Sequence, residues 1–307
     1  MTSFSIIIPC FNAAETILET LCSLQAQTVT NWEAVCVDDG STDATTRIIA
    51  AARDADPRII LTHNTSKGPS AARNHGALTL AKGEIIAFCD ADDLWSPSKL
   101  AELNAEFSDL FVDAAFGKVA FFRDRPSAVT ATSTVPSKPL HIPMLLSENP
   151  VCTMSNLSIR RAIFERSGGF DETLVHNEDL EWLVRLVGQG ANVVGLPTTQ
   201  TFYRASPYGL SSDLKAMEVG RKAVLETAAS FGFEPDAASN AVYQRYLARR
   251  ALRLGQGRTL ALRFALSGLA ICPSGFFASP KRGALTLIGA LCAFVLPTPV
   301  CRTLFSR

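Results

Sequence analysis

The last quarter of the sequence contains no acidic residue, although the chain as a whole carries no net charge. All 29 Asp and Glu side chains lie at or before Asp236, whereas residues 237–307 contain ten Arg or Lys. The chain therefore divides into a front part with a formal charge of −10 and a back part with +10. Zero net charge disfavours a nucleic-acid polymer as partner, because such binders normally carry a basic excess. A +10 segment leaves an anionic surface as a candidate partner.

Other absences narrow the class of protein further. None of the eight cysteines forms a CxxC pair, which predicts buried free thiols in a reducing compartment. The first nine residues lack the basic segment of a secretory signal and predict a strand, so we expect a cytoplasmic location. The last apolar run, at 283–296, is shorter than the ~20 residues that span a bilayer. A hydrophobic fraction of 47% excludes intrinsic disorder.

The first hundred residues alternate between two hydrophobic periodicities. Short apolar runs predict strands at 4–8, 32–37, 58–62 and 84–89, and one-sided patterns predict helices at 14–25, 41–53 and 69–81. Strands alternating with helices predict a parallel α/β sheet with right-handed crossovers. Beyond it the sequence predicts a long loop at 125–150, further strands at 153–159, 192–196 and 199–204, and a helix at 177–190. After Ser212 the pattern predicts helices alone.

Acidic sequences follow two of the predicted strands. Asp38 and Asp39 come after the second strand, and the DADD sequence at 90–93 comes after the fourth. Because ligands bind at the carboxyl ends of strands in open α/β sheets, the two sequences should converge on one crevice. Three carboxylates within four residues repel one another, and Mg²⁺ or Mn²⁺ would relieve that repulsion. Each sequence also has a purely structural interpretation, as a helix cap or a solvated turn.

Four sequences in this order resemble the successive motifs of glycosyltransferase family 2. They are SIIIPCFN at 5–12, VDDGSTD at 37–43, GPSAARNHG at 68–76 and DADD at 90–93. The resemblance implies a GT-A fold, a Rossmann-like and mostly parallel central sheet flanked by helices. It also implies an inverting enzyme that moves a sugar from a nucleotide-diphosphate sugar to an acceptor hydroxyl. The catalytic domain would span 1–212, followed by a helical, basic and apolar extension at 213–307.

The same resemblance assigns residues to the donor nucleotide. Pro9, Asn12 and Asp39 would frame it, with Asp39 on the base, and Asp90 would lie near the ribose. Arg73 has two open interpretations. In the functional interpretation it lies near the nucleotide or orders the acidic loop, and in the structural one it forms an ion pair with one of the aspartates.

The resemblance also implies a metal and a general base. Asp92 would ligate Mn²⁺ or Mg²⁺, with Asp93 behind it. Inversion requires a carboxylate that takes the acceptor proton on the face opposite the leaving diphosphate. Asp179 is the candidate base, and Glu178 would contact the acceptor. Carboxylates in a first helical turn also complement the helix dipole, which is the structural alternative.

One position departs from the family pattern. Many relatives carry a histidine shortly after a Tyr-Arg pair near the end of the domain, where it contacts the metal or diphosphate. In this chain Ser206 stands at that position, after Tyr203 and Arg204. The diphosphate contact then passes to Arg204 or another group, or the loop is built differently.

In the last 71 residues basic side chains alternate with apolar ones, which is typical of helices at anionic membrane surfaces. Packing of these helices on the catalytic domain is the other interpretation. We expect a transferase peripheral to the inner face of the cell membrane. It would build a surface polysaccharide or glycolipid on a glycan or lipid-linked acceptor.

A sugar-1-phosphate nucleotidyltransferase is one alternative, although residues 10–14 lack its Gly-rich loop and Lys. A catalytically inactive scaffold is the other.

Overall fold

The computed structural model describes residues 3–205, 213–254, 258–296 and 300. The chain forms two compact units. The first comprises 1–140 and 150–206, and the second comprises 141–149 and 207–307.

The first unit is built on one mixed sheet with the strand order β3-β2-β1-β4-β8-β6-β9-β5, and β7 pairs with β6. Its strands are β1 Phe4–Cys10, β2 Trp32–Asp38, β3 Ile59–His63, β4 Ile85–Phe88, β5 Leu94–Trp95, β6 Ala114–Phe122, β7 Ala131–Thr132, β8 Leu157–Arg160 and β9 Val193–Arg204. Its helices are α1 Ile17–Gln25, α2 Thr45–Ala55, α3 Pro69–Asn74, α4 Lys99–Glu106, α6 Arg161–Ser167 and α7 Glu178–Gly188.

The centre of this sheet explains the apolar runs of the sequence. β1 pairs in parallel with β2 on one side and with β4 on the other. Ile6, Ile7 and Ile8 are all fully buried, so both faces of β1 are covered. A strand buried on both faces needs a continuous apolar run rather than an alternating one. Because β1, β2 and β4 run the same way, the residues that follow them lie at one edge of the sheet.

Four predicted elements differ from the observed ones. The strand predicted at 153–159 is a 3₁₀ turn at Met154–Asn156 followed by β8. The helix predicted at 69–81 is α3 followed by a π-helical turn at His75–Leu80. A Cβ on Gly76 would lie 2.6 Å from a methyl carbon of Ile7, so glycine allows this turn to approach β1 closely. The strands predicted at 192–196 and 199–204 form the single strand β9. The predicted loop at 125–150 contains β7 and a short helix, α5 Ile142–Ser147.

The prediction of buried thiols is only partly right. Cys10, Cys36 and Cys89 are buried and free, as expected for thiols on central strands. Cys22 and Cys152 are exposed, so the prediction of burial is wrong for them. Cys22 lies on the outward face of α1 and is not part of the buried face of this helix.

The second unit is helical, as the sequence predicts. Besides α5 it contains α8 Leu214–Ser230, α9 Ala237–Leu254, α10 Arg258–Ile271, α11 Pro273–Phe276 and α12 Pro280–Val295. Its core includes Leu247, Phe264 and Phe276. Arg221 stacks 3.5 Å above the ring of Tyr243. Among the helices described in this chain, none combines the length and hydrophobicity needed to cross a membrane.

Candidate active site

The loops after β1 and β2 are joined through Asn12. The side-chain oxygen of Asn12 accepts a hydrogen bond from the Thr42 amide at 2.8 Å, and the Asn12 amide donates to the Ser41 hydroxyl at 3.0 Å. Asn12 has a φ of 48°, a left-handed conformation that asparagine tolerates better than most residues. Pro9 lies near the end of β1, opposite Val37 of β2. Both residues therefore lie where the predicted nucleotide site begins.

The two aspartates after β2 have different partners. Asp38 is buried and accepts hydrogen bonds from the amides of Gly40 and Ser41, which stabilise the turn. Asp39 instead accepts from Asn64 Nδ2 at 2.8 Å and from the Gly68 amide at 2.9 Å. The structural interpretation of the pair therefore fits Asp38. Asp39 is held by the loop that precedes α3, at the edge of the sheet.

The loop after β4 concentrates three carboxylates, two of them strongly shielded from water. Asp93 is fully buried, and its Oδ2 has no hydrogen-bond partner among the described residues. Burial and the charge of Asp92 raise the pKa of Asp93 well above its ordinary value. Burial and the charge of Asp90 raise the pKa of Asp92 to about 6. A cation at this loop would therefore stabilise the ionised carboxylates.

Arg73 links this loop to the helix that carries the predicted base. Its side chain is only 7% exposed, and it lies 2.8 Å from Asp90 Oδ1 and 3.3 Å from Glu178 Oε1. The acidic motif and the Glu-Asp pair are far apart in sequence, and Arg73 brings them together. The ion pair that was one interpretation of Arg73 is therefore present, and it involves two carboxylates rather than one. A contact of Arg73 with the nucleotide stays a prediction.

Glu178 and Asp179 form the first turn of α7. Burial and the charge of Asp179 raise the pKa of Glu178 to about 7. Burial also raises the pKa of Asp179, whose Oδ1 accepts a hydrogen bond from the Leu180 amide at 2.8 Å. A carboxylate with a raised pKa is, once ionised, a stronger general base than an ordinary aspartate. Glu178 is paired with Arg73, and its predicted contact with the acceptor stays a prediction.

Sequence reasoning missed Asn74, which anchors the segment before α7. Its Oδ1 accepts from the Phe170 amide, and its Nδ2 donates to the Phe170 carbonyl, both at 2.9 Å. Nδ2 also donates to Glu172 Oε1 at 2.9 Å. A Cβ on Gly169, which has a φ of 72°, would lie 2.5 Å from Asn74 Oδ1. The position of Asn74 directly after Arg73, inside the third motif, was the signal in the sequence that could have identified it.

Sequence reasoning also missed Lys99 and Ser155, which support the acidic loop. Lys99 is fully buried, and its Nζ donates to the Ser155 carbonyl at 2.7 Å and lies 4.0 Å from the Trp95 ring centroid. Burial lowers the pKa of Lys99 to about 7. The Ser155 hydroxyl accepts from the Asp90 amide at 2.9 Å. Lysine on an amphipathic helix normally predicts a solvated face, so no signal marked this one.

Arg204 lies beside the acidic loop at the end of β9. Its amide donates to Asp93 Oδ1 at 2.9 Å, and its Nε donates to the Asp92 carbonyl at 3.0 Å. Its guanidinium also pairs with Glu19. A role of Arg204 in binding diphosphate stays a prediction, and Ser206 lies outside the described residues.

The metal-binding capacity of the loop is limited. Within the described parts of the chain, no three His, Cys, Asp or Glu side chains are grouped so that they could hold a metal ion by themselves. Mg²⁺ usually binds through one or two carboxylates together with substrate phosphates. The loop therefore fits a cation that binds together with a phosphorylated ligand.

Comparisons with known proteins identify the family of this chain. The family described as Glycosyl transferase family 2 matches residues 5–168. An Escherichia coli UDP-Glc:alpha-D-GlcNAc-diphosphoundecaprenol beta-1,3-glucosyltransferase is 29% identical over 69% of this chain and 81% of its own length.

Two solved structures share the fold. Staphylococcus aureus TarS in complex with UDP-GlcNAc aligns over 98% of this chain and 90% of its own, with 19% identity and a TM-score of 0.64. A Pyrobaculum calidifontis mannosyltransferase in complex with GDP-Man and Mn²⁺ aligns over 99% and 84%, with 21% identity and a TM-score of 0.60. The predicted GT-A fold is confirmed by these likenesses.

Proposed function

We propose that this chain, which belongs to glycosyl transferase family 2 and is a glycosyltransferase, acts on a UDP-sugar and a lipid-linked acceptor. It would transfer the sugar to an acceptor hydroxyl with inversion, during assembly of a surface polysaccharide or glycolipid. The observation that carries the proposal is the bridge of Arg73 between Asp90 and Glu178. Through it the expected donor-side and acceptor-side carboxylates belong to one cluster. In this proposal the catalytic domain spans 1–212 and the helical extension 213–307.

The donor nucleotide would bind at the edge where β1 and β2 end. Asp39 would accept a hydrogen bond from the base, since Asn64 and Gly68 already orient its carboxylate. Pro9 and Asn12 would line the same site, and Asp90 would face the ribose. UDP is our choice of nucleotide because both the E. coli relative and TarS are described with UDP-sugars. The sugar itself stays open.

The acidic loop fits a divalent cation, because a buried oxygen of Asp93 has no hydrogen-bond partner among the described residues and burial disfavours the charge of Asp92. Asp92 would hold Mn²⁺ or Mg²⁺, with Asp93 and Arg204 supporting the loop from behind. When bound, the cation would stabilise the negative charge that develops on the departing diphosphate. Support for manganese comes from the P. calidifontis neighbour, which is described with Mn²⁺.

Asp179 would act as the general base. It would take the proton of the acceptor hydroxyl while that oxygen forms a bond to the anomeric carbon. The bond between this carbon and the diphosphate oxygen breaks, and its electron pair leaves with the UDP. Because attack occurs opposite the leaving group, the anomeric configuration inverts. The raised pKa of Asp179 supports this role.

The acceptor and location are proposed together. The E. coli relative is described as acting on a sugar linked to diphosphoundecaprenol, which is anchored in a membrane. An enzyme with such an acceptor must work at the bilayer surface. We therefore place this chain peripherally at the inner face of the cell membrane.

A product assay tests the proposed reaction. The purified chain is incubated with UDP-Glc, UDP-GlcNAc or GDP-Man, each with Mn²⁺, and a synthetic lipid-diphosphate sugar. Release of UDP together with an inverted glycosidic linkage is the expected result. Exchange of pyrophosphate would instead identify a nucleotidyltransferase, and failure to bind any donor would identify an inactive scaffold. The family comparison favours neither alternative.

A further inference from the structure

The helix α12 has two apolar faces, and only one of them is packed. Gly283, Thr286, Ala290 and Ala293 are buried and recur every three or four residues on the inner face. The opposite face carries four large apolar side chains, which we call the α12 stripe. The stripe consists of Leu285, Ile288, Leu291 and Val295, which are 60%, 55%, 49% and 80% exposed.

The stripe is not a remnant of core packing. The outward face of a surface helix is normally polar, because only the inward face needs to bury apolar area. On α12 the inner face already packs on its own unit through residues such as Ala290, which is fully buried. Contiguous exposed apolar surface of this kind marks an interaction site.

The charge around the stripe indicates the kind of partner. Lys281 is exposed and lies four residues before Leu285, so it stands on the same side of the helix. α12 contains no Asp or Glu, and the whole sequence after Asp236 has none. An apolar face with a cationic end and no acidic residue complements a surface that is apolar inside and anionic outside. An anionic lipid bilayer has both properties.

The length of the helix decides how it would meet the bilayer. With 16 residues, α12 is about 24 Å long at 1.5 Å per residue, which is short of the hydrocarbon core of about 30 Å. A helix with one exposed apolar face and one face packed on its own unit is suited to lie in the plane of the membrane interface rather than to cross the bilayer.

We propose that the α12 stripe is the surface by which this chain docks on an anionic membrane. The four side chains would enter the outer part of the acyl region, and Lys281 would lie among the head groups. The proposal deepens the proposed function and rests on it for the membrane-bound acceptor, while its own argument comes from the exposed side chains of α12.

Flotation of the full chain with lipid vesicles tests the stripe. Vesicles of phosphatidylcholine alone are compared with vesicles containing one quarter phosphatidylglycerol. We expect preferential binding to the anionic vesicles. The double substitution Ile288→Gln and Leu291→Gln should weaken that binding by roughly tenfold or more, because two apolar side chains that would be buried in the lipid are replaced by polar ones. Lys281→Gln should weaken it about fivefold, close to the effect of one basic residue near an anionic surface.

Val219→Gln is the matched control. Val219 is 74% exposed on α8 of the same unit, outside the stripe, and its replacement should leave vesicle binding unchanged. Thermal melting of each variant checks folding, which substitutions at exposed positions should preserve. Vesicle binding by the double variant at the wild-type level would overturn the proposal, as would a wild-type chain that ignores both kinds of vesicle. A wild-type chain that forms dimers but binds no vesicles, with dimer formation lost in the double variant, would show that the stripe binds a second copy of the chain. That result would also overturn the proposal.

Turnover separates this proposal from the proposed function. UDP release with a short-chain, water-soluble acceptor should be equal in the wild type and the double variant. Loss of vesicle binding with retained turnover supports the stripe. Vesicle binding that depends on the stripe in a chain without transferase activity would contradict only the proposed function.

Discussion

The two units use the same ion-pair chemistry in opposite settings. In the first unit Arg73 is buried between Asp90 and Glu178, and the pKa of Glu178 is raised. In the second unit Arg282 lies 3.3 Å from Glu148, with about one third of each side chain exposed. A buried charge that loses its partner is strongly destabilising, whereas an exposed pair contributes little. The contrast predicts that the buried Arg73 cluster contributes far more to stability than the partly exposed pair of Arg282 and Glu148.

Asp179→Asn should produce the largest effect. It removes the proposed base while keeping the size of the side chain, so kcat should fall by about 10³-fold, within the range for general base catalysis. Affinity for the UDP-sugar should be unchanged. Steady-state kinetics and donor titration measure the two quantities.

The control for this substitution is Glu165→Gln. Glu165 is 46% exposed in an i,i+4 pair with Arg161, so turnover should be close to wild type. A wild-type kcat in Asp179→Asn would show that another group accepts the proton.

Arg73→Met should have the largest effect on stability. It leaves the carboxylates of Asp90 and Glu178 without their shared cation, so we expect a loss of about 3–5 kcal/mol in the free energy of unfolding. Denaturant titration that follows the unfolding of the first unit measures this loss of free energy. A loss below about 1 kcal/mol would mean that the cluster is open to water, and that the contrast between the units is wrong.

The pH dependence of stability should report Glu178. Burial and the charge of Asp179 raise its pKa from 4.5 to about 7. The contribution of Glu178 to stability is therefore fully present below pH 4.5 and is lost as the pH rises through about 7. In Glu178→Gln this loss is absent, so the unfolding free energy of the variant minus that of the wild type should increase across this window. A constant difference from pH 4 to pH 8 would contradict the raised pKa.

Arg282→Gln should give the smallest effect, under about 1 kcal/mol, because its pair with Glu148 is partly exposed. The same denaturant titration measures it. A loss comparable to that of Arg73→Met would show that the second unit also depends on a buried charge network.

The sequence could predict the strands that carry the site because their signal is local. Apolar runs define β1, β2 and β4, and the acidic residues stand directly after β2 and β4. Both carboxylate motifs are therefore visible in the residue pattern alone. Their connection through Arg73 is not, since an ion pair between residues far apart depends on how α3 and α7 pack. Lys99 is a similar case, because its burial depends on the strands around it rather than on its own helix.

The helical unit shows the same limit. The sequence predicts an apolar helix close to α12, but composition does not indicate that the helix has one packed and one exposed apolar face. That distinction requires the positions of Ala290 and Ile288 in the folded unit. The small helix α5 was missed because six residues at 142–147 are too few for a periodicity.

Calorimetric titration of UDP-Glc and UDP-GlcNAc into the wild type, Asp92→Ala and Asp179→Asn, each with and without Mn²⁺, tests the central claim most directly. That claim is that the loop after β4 holds the donor with a cation while α7 supplies the base. We predict that Mn²⁺ strengthens binding of at least one of these donors to the wild type and to Asp179→Asn, and that Asp92→Ala loses this gain. A Mn²⁺-dependent affinity of Asp92→Ala equal to that of the wild type would contradict the account.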